Sequence, residues 1–410
     1  MKILLLNHNV VERSTFFRAF YFGRELADCG HEVTLATVSR QNVLRPVVAL
    51  REGVRVIETP DWGVSLARTG WDPWDTAWRV ARFLGERPDL VHGFDCRPVV
   101  LGPSLALKAL AHTPWISDWA DWWGRGGAIS LRKSWIGRVA FAPFETFLEE
   151  RFRHFADQIT VTSRALAERA LGLGIARERV HFIPSGANVR TIPVLDQGSC
   201  RAELRLPSDA PIACFVGFVQ YDLGLAVRAF AVARRSLPDA LLLLVGPRNR
   251  EAERLIAELG LSGAVHSTGT LPFARVPVAM GAADVLLLPC SNTLTNRARG
   301  PIKLGDYLAA GRAVLANPVG DLVEVFQAND VGVMAPDDPE GYGTALAGLL
   351  KDRDRTARMG QTARKVAEEK YAWKHVSGQL VELYQREMRG HAARDPRPGP
   401  SDDPQFPDKP

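Results

Sequence analysis

Short apolar runs alternate with amphipathic stretches along most of this chain. "KILLL" (residues 2–6) has the unbroken apolarity of a buried strand, the polar loop "NHNVVERST" follows, and "FFRAFYFGRELADCG" carries the 3.6-residue apolar spacing of a helix closed at Gly30. "HEVTLATV" then reads as a second strand, so the chain opens with a βαβ unit, which implies a parallel sheet with helices on both faces. The alternation continues through "VRVIETP", a helix around Trp74 to Glu86, "DLVHGF", "PVVLGPSLALKALA", "WISDWAD", a long helical stretch from about Ile129 to Ala156, "QITVTS" and "VHFIPSG". A second cycle starts at "IACFVGF" and runs through "ALLLLVG", "VHSTGT", "DVLLLPC" and "AVLANP", with helical patterns between them.

The pattern predicts an α/β protein with two doubly wound parallel-sheet domains facing each other across a cleft. The first covers 1–190. A linker rich in Pro, Gly and Asp covers 191–211, and the second domain covers 212–370. A helix is expected over 371–389, and the Pro- and Asp-rich 390–410 reads as a disordered tail. In such folds ligands sit outside the carboxyl ends of the strands, so chemistry is expected on strand-to-helix loops.

Composition narrows the function without naming it. A net charge of +5 over 410 residues, with basic residues dispersed, argues against a nucleic-acid binder. Five scattered cysteines without metal-ligand spacing read as reduced core thiols, which suits the cytoplasm, and no metal centre is expected. The N-terminal apolar run is too short for a signal peptide, and no run of apolar residues is long enough to span a bilayer. The loop after the first strand lacks G-x-G-x-x-G, which counts against a dinucleotide-dependent dehydrogenase.

The stretch "ARGPIKLGDYLAAGRAVLA" (298–316) carries the sharpest signal. Gly300 and Pro301 lead into a helix whose first turn, beginning at Ile302, holds Lys303, a place where a cation is unfavourable unless an anion binds there. Asp306, one turn on, would then face sugar hydroxyls beside a phosphate. The plainer reading is an i, i+3 ion pair on a solvated helix. On the other domain, "PWISDWADWWGRGG" offers Asp121, and after it Asp118, as an acid/base or acceptor-orienting carboxylate beside tryptophans such as Trp122, or as a turn cap. His8 and His92 lie at strand ends facing the presumed cleft and are acceptor-binding candidates, or hydrogen-bonded scaffold. Finally, 129–155 mixes Arg132, Lys133 and Arg138 with Trp135, Ile136, Phe141, Phe144 and Phe147, which fits either a membrane-surface helix or a core helix with a basic face.

"P-I-K-L-G-D-Y-L-A-A-G-R-A-V-L-A", preceded by "MGAADVLLLPCS", resembles the donor-binding region of GT-B glycosyltransferases, most closely the retaining family 4 (glycosyl transferases group 1). "ITVTSRALAERALGLGIARERVHFIPSGANV" and "YAWKHVSGQLVELYQ" are similar to the end of that family's acceptor domain and to its C-terminal crossing helix. The resemblance implies a GT-B fold and a metal-independent glycosyl transfer from a nucleoside diphosphate sugar, by family habit a UDP-sugar. The donor is a substrate, so no cofactor is implied, and the acceptor would be a glycan, a lipid-linked molecule or a small molecule. The implied donor set is Gly217, Gly246, Thr270, Leu271, Arg297, Arg299, Gly300, Pro301, Ile302 and Asp306, with Lys303 beside the leaving diphosphate.

Two departures stand out. The first acid of the family's acid-x7-acid pair is Ala298 here, and the loop "GFVQYDLG" (217–224) lacks the usual Arg and Lys. Lys303 with Arg299 or Arg297 would have to supply the charge. A nucleotide-sugar epimerase, or a non-catalytic partner built on the same fold, are the competing readings.

Overall fold

The structure, a computed structural model, describes residues 1–41, 44–62, 70–131, 135–217, 222–300 and 302–394. Pro301, the middle of the 217–224 loop, Arg132 and Lys133, and most of the expected tail therefore lie outside the described residues.

Eight strands form the first sheet: β1 (Lys2–Val10), β2 (Glu32–Val38), β3 (Val47–Arg51), β4 (Val54–Thr59), β5 (Leu90–Phe94), β6 (Trp115–Trp119), β7 (Gln158–Val161) and β8 (Val180–Phe182). Their order is β3-β4-β2-β1-β5-β6-β7-β8, parallel throughout except for the β3–β4 pair. The second sheet contains β9 (Ile212–Val216), β10 (Leu241–Val245), β11 (Val265–Gly269), β12 (Val285–Leu288), β13 (Ala313–Ala316) and β14 (Gly332–Met334), all parallel, in the order β11-β10-β9-β12-β13-β14. That is the dinucleotide-fold order, with the strand direction of travel reversing between β9 and β12. In the first sheet the reversal falls between β1 and β5, where Leu5 pairs with His92. Both crevices open toward the interdomain cleft.

β3 and β14 were not legible in the apolar pattern. β3 is an antiparallel edge strand whose Val47, Val48 and Leu50 are exposed, so no buried alternation marks it, and β14 is only three residues long. The segment between the domains is less loose than its composition suggests. Asp196 caps a helix Gln197–Glu203, and Cys200 within it is buried against the second domain's core.

The C-terminal helix runs Trp373–Arg394, so ordered structure extends beyond the expected boundary at 389. It joins the first domain. Trp373, Val376, Leu380 and Tyr384 belong to the same core as Ile3, Leu5, Phe16 and Phe22. Trp373 meets Phe22 edge-on at 5.0 Å, and a side chain at Gly186 would collide with the Trp373 ring, which explains glycine there. Phe17 stacks on Phe273 at 5.7 Å and Ser163 donates to the Ala298 carbonyl at 2.7 Å, so the two domains touch on both sides of the cleft.

Candidate active site

The second domain contributes the helix Ile302–Ala309, which starts beside the ends of β9 and β12. Lys303 reaches back over β9, with its ammonium 4.8 Å from the Phe215 ring centroid. A Cβ at Gly217 would lie 2.7 Å from Lys303 Nζ, so the glycine makes room for the cation. Burial lowers the Lys303 pKa from 10.5 to about 8, with Arg299 pushing the same way and Cys290 and Asp222 opposing.

Asp306 lies one turn further. The residue keeps some exposure, but its Oδ1 is shut off from solvent and accepts no hydrogen bond. Burial pushes this carboxyl from 3.8 up to about 7. An isolated buried carboxylate is costly, and a ligand hydroxyl would relieve that cost.

Asp121, on the loop after β6, points across to the second domain, its Oδ1 3.5 Å from Arg299 Nε. Both line an interdomain cavity of about 230 Å³ together with Thr15, Arg18, Asp222 and Lys303. Burial raises the Asp121 pKa while Arg299 pulls it down. Asp222 accepts hydrogen bonds from Ser291 Oγ (2.7 Å) and Asn296 Nδ2 (3.1 Å), fixing the loop that precedes Arg299.

The other candidate residues distribute as follows. Ile302 and Gly300 line the cavity; Gly300 also allows close domain approach, since a Cβ there would sit 2.7 Å from the Thr162 carbonyl oxygen. Arg297 turns outward and donates to Asn292 Oδ1 at 2.7 Å, leaving Arg299 as the arginine of this loop that faces the cavity. Gly246, with φ of 149°, donates its N–H to Gly269 O at 3.0 Å, while Thr270 is exposed and Leu271 packs partly against the core just past β11.

Four residues expected at the cleft are held elsewhere. Asp118 is fully buried in an ion pair with Arg18 (2.9 Å) and accepts from Thr160 Oγ1 at 2.7 Å. Burial alone would raise its pKa, but Arg18, His92 and Thr160 bring it below the usual carboxylate value. His92 lies under the C-terminal helix with Nδ1 2.6 Å from the Tyr384 hydroxyl, so it fastens that helix instead of facing an acceptor. His8 is buried with its ring edge toward Trp123, and its Nδ1 sits 3.6 Å from Asp95 Oδ2. Burial, with Arg97, lowers its pKa to about 3, so it is neutral. Trp122 donates to the Arg125 carbonyl and lies under the Arg169 guanidinium, packed against its own domain.

Sequence reasoning missed Arg18, Asp95 and Asp222. Arg18 is a cation at a buried position of an aromatic helix, the one signal that was visible. Asp95 follows β5 with φ of 68°, fully buried, its carboxyl pushed up to about 8 by burial and by Asp121. Ala298, in place of the absent acid, is buried among first-domain side chains, where a carboxylate would be left without water.

The sequence comparisons agree with this geometry. Residues 18–186 match the model of the glycosyl transferase 4-like domain, and residues 196–366 match that of glycosyl transferases group 1. A D-inositol 3-phosphate glycosyltransferase of Nocardia farcinica is 31% identical over 58% of this chain, a stretch spanning 55% of that protein. The phosphatidyl-myo-inositol mannosyltransferase of Mycolicibacterium smegmatis is 27% identical over 92% of this chain and 93% of its own length. Among solved structures, the sucrose-phosphate synthase of Thermosynechococcus elongatus superposes with a TM-score of 0.75 at 20% identity, covering 95% of this chain and 99% of that one. With two parallel-sheet domains, a cleft between their switch points and both family models matched in order, the chain belongs to the GT-B glycosyltransferases of the group 1, family 4-like type.

Proposed function

We propose that this glycosyltransferase takes its sugar from a nucleoside diphosphate donor, UDP-linked in the first instance, and transfers it with retention to a glycan, lipid-linked or small polyol acceptor. The observation that carries the reading is the alignment of Lys303, Arg299 and the unpartnered Asp306 oxygen along one helix and its leading loop. Lys303 and Arg299 compensate the diphosphate, the charge that grows as the leaving group departs, so the transfer requires no metal ion. Asp306 accepts from ribose hydroxyls. In the retaining step the acceptor oxygen bonds to the anomeric carbon as the bond to the diphosphate breaks, and the acceptor proton passes to a diphosphate oxygen.

Asp121 then has two states. With the cavity empty it is paired to Arg299; when the diphosphate takes Arg299, Asp121 is released to orient the acceptor hydroxyl. Asp121→Asn is therefore expected to tighten nucleoside diphosphate binding about tenfold while slowing transfer. Weaker nucleotide binding in this variant would mean that Asp121 supports the donor and does not compete for Arg299.

Calorimetric titration with UDP, GDP, dTDP and ADP tests the reading directly. Selective binding of one nucleotide is expected, weakened at least tenfold by Lys303→Ala and by Asp306→Ala. Affinity should fall as pH rises through about 8, where Lys303 loses its proton. A folded protein that binds none of the four nucleotides would leave the non-catalytic partner reading in front. Consumption of donor without acceptor would point to an epimerase.

A further inference from the structure

The helix Trp135–Arg151 is turned inside out. A surface helix ordinarily buries its aromatic residues and presents its acids to water. Here Glu145 and Glu149, four residues apart, face the interior, where Glu145 pairs with Arg97, and Glu149 accepts from Trp119 Nε1 and the Trp123 backbone and pairs with Arg169 at 3.3 Å. Phe144, Phe147 and Arg151 share the outer face at spacings of three and four. Trp135 and Val139 are each 65% exposed, and Phe141, Phe144 and Phe147 are each about half exposed.

The apolar surface extends beyond the helix. Phe144 contacts Trp71 at 5.5 Å between ring centroids, and Trp71 adjoins Asp72, whose side chain accepts from the backbone N–H groups of Trp74 and of Trp62, both tryptophans exposed. It also continues inward. The Arg97 guanidinium lies over Trp71 at 4.7 Å and over Trp123 at 4.8 Å, and Trp123 is two residues from Asp121 at the cavity.

Charge identifies what covers this face. All four acids between 121 and 155 are paired with arginines: Asp121 with Arg299, the buried Glu145 with Arg97, and the buried Glu149 and partly exposed Glu150 with Arg169. Arg125 and Arg151 are exposed, and the sequence of the same segment adds Arg132, Lys133 and Arg138. Outward phenylalanine and tryptophan beside the exposed Arg125 and Arg151 match an anionic lipid surface, with rings at the headgroup level and cations at the phosphates. A second copy of this chain would set these cations against their own kind. Among the described residues no helix is long and apolar enough to cross a membrane, so the contact is a docking one.

We infer that this face docks on an anionic bilayer and turns the acceptor side of the cleft toward it, so that the acceptor is a hydroxyl carried on a membrane lipid. The acceptor half of the inference rests on the transferase reading; the docking half does not. The test is flotation of the full chain with vesicles of phosphatidylcholine plus phosphatidylglycerol, against vesicles of phosphatidylcholine alone. Binding to the anionic vesicles that weakens with salt is expected, reduced about tenfold or more in Phe144→Ser/Phe147→Ser and in Arg125→Glu/Arg151→Glu. Both variants should bind nucleoside diphosphate as the parent does, which shows that they are folded. No flotation of the parent overturns the inference, as does undiminished flotation of both variants. A dimer in sedimentation that the phenylalanine variant abolishes would overturn it in favour of a second copy. Flotation by a protein that binds no nucleotide would retain the docking and remove the transferase reading alone.

Discussion

Asp306→Asn is expected to stabilise the ligand-free protein by roughly 2 to 4 kcal/mol above pH 7, and to leave its stability nearly unchanged near pH 4. The Asp306 carboxyl titrates near 3.8 in an unfolded chain and near 7 in the folded one, because its Oδ1 is buried without a partner. Below the lower value both states are protonated and the fold incurs no penalty. As pH rises between the two values the unfolded chain sheds the proton while the native state holds it, so stability declines, and above about 7 the full penalty is in force. Asparagine never ionises and escapes it. Urea unfolding of both proteins across this pH range is the measurement; a difference that does not grow with pH would show that the carboxylate is already solvated or paired. The same substitution should weaken nucleoside diphosphate binding about tenfold, since the ribose loses a charged acceptor. A site residue that stabilises when neutralised and fails when neutralised is one the fold tolerates for its ligand.

Arg18→Ala is expected to cost about 3 to 5 kcal/mol, because it leaves Asp118 ionised and buried with its guanidinium gone. Arg18 also donates to the Ile183 and Pro184 carbonyls, at 2.8 and 2.9 Å, and so fixes the segment leading to Ser185 on the cavity wall. The sign with pH opposes that of Asp306. The folded Asp118 carboxyl lies below its ordinary value, so the ion pair stabilises above that value and the contribution is lost as the solution turns acid. A double-mutant cycle with Asp118→Asn, read by urea unfolding, should recover a large part of the loss, since the stranded charge is then absent. Simple additivity of the two substitutions would refute the pairing as the source of the cost.

The fold was legible because its signal is periodic. Parallel strands buried on both faces read as unbroken runs such as "ALLLLV" and "DVLLL", and the helices between them repeat at 3.6 residues. The site was legible only where one element carries it. Lys303 and Asp306 share a helix, so spacing pairs them; the family resemblance favours the ligand reading and brings in Arg299, interchangeable there with Arg297. Asp121 and Arg299 are far apart in sequence and meet because two domains close, which no local pattern encodes. His8 and His92 illustrate the converse. His8 lies near the end of β1 and His92 in the middle of β5, but a ring contact with Trp123 and a hydrogen bond shared with Tyr384 of the C-terminal helix decide what they do.

The placement of that last helix also dictates when the protein can fold during its own synthesis. Trp373, Leu380 and Tyr384 fill the same core as Ile3 and Leu5, so the first domain lacks part of its interior until residues 373–384 emerge from the ribosome. The second domain, whose sheet and helices are contiguous in the chain, can close its core earlier. The first domain waits for the helix at Trp373–Arg394, and a nascent chain interrupted before residue 373 carries a complete second domain beside a first domain with an open flank.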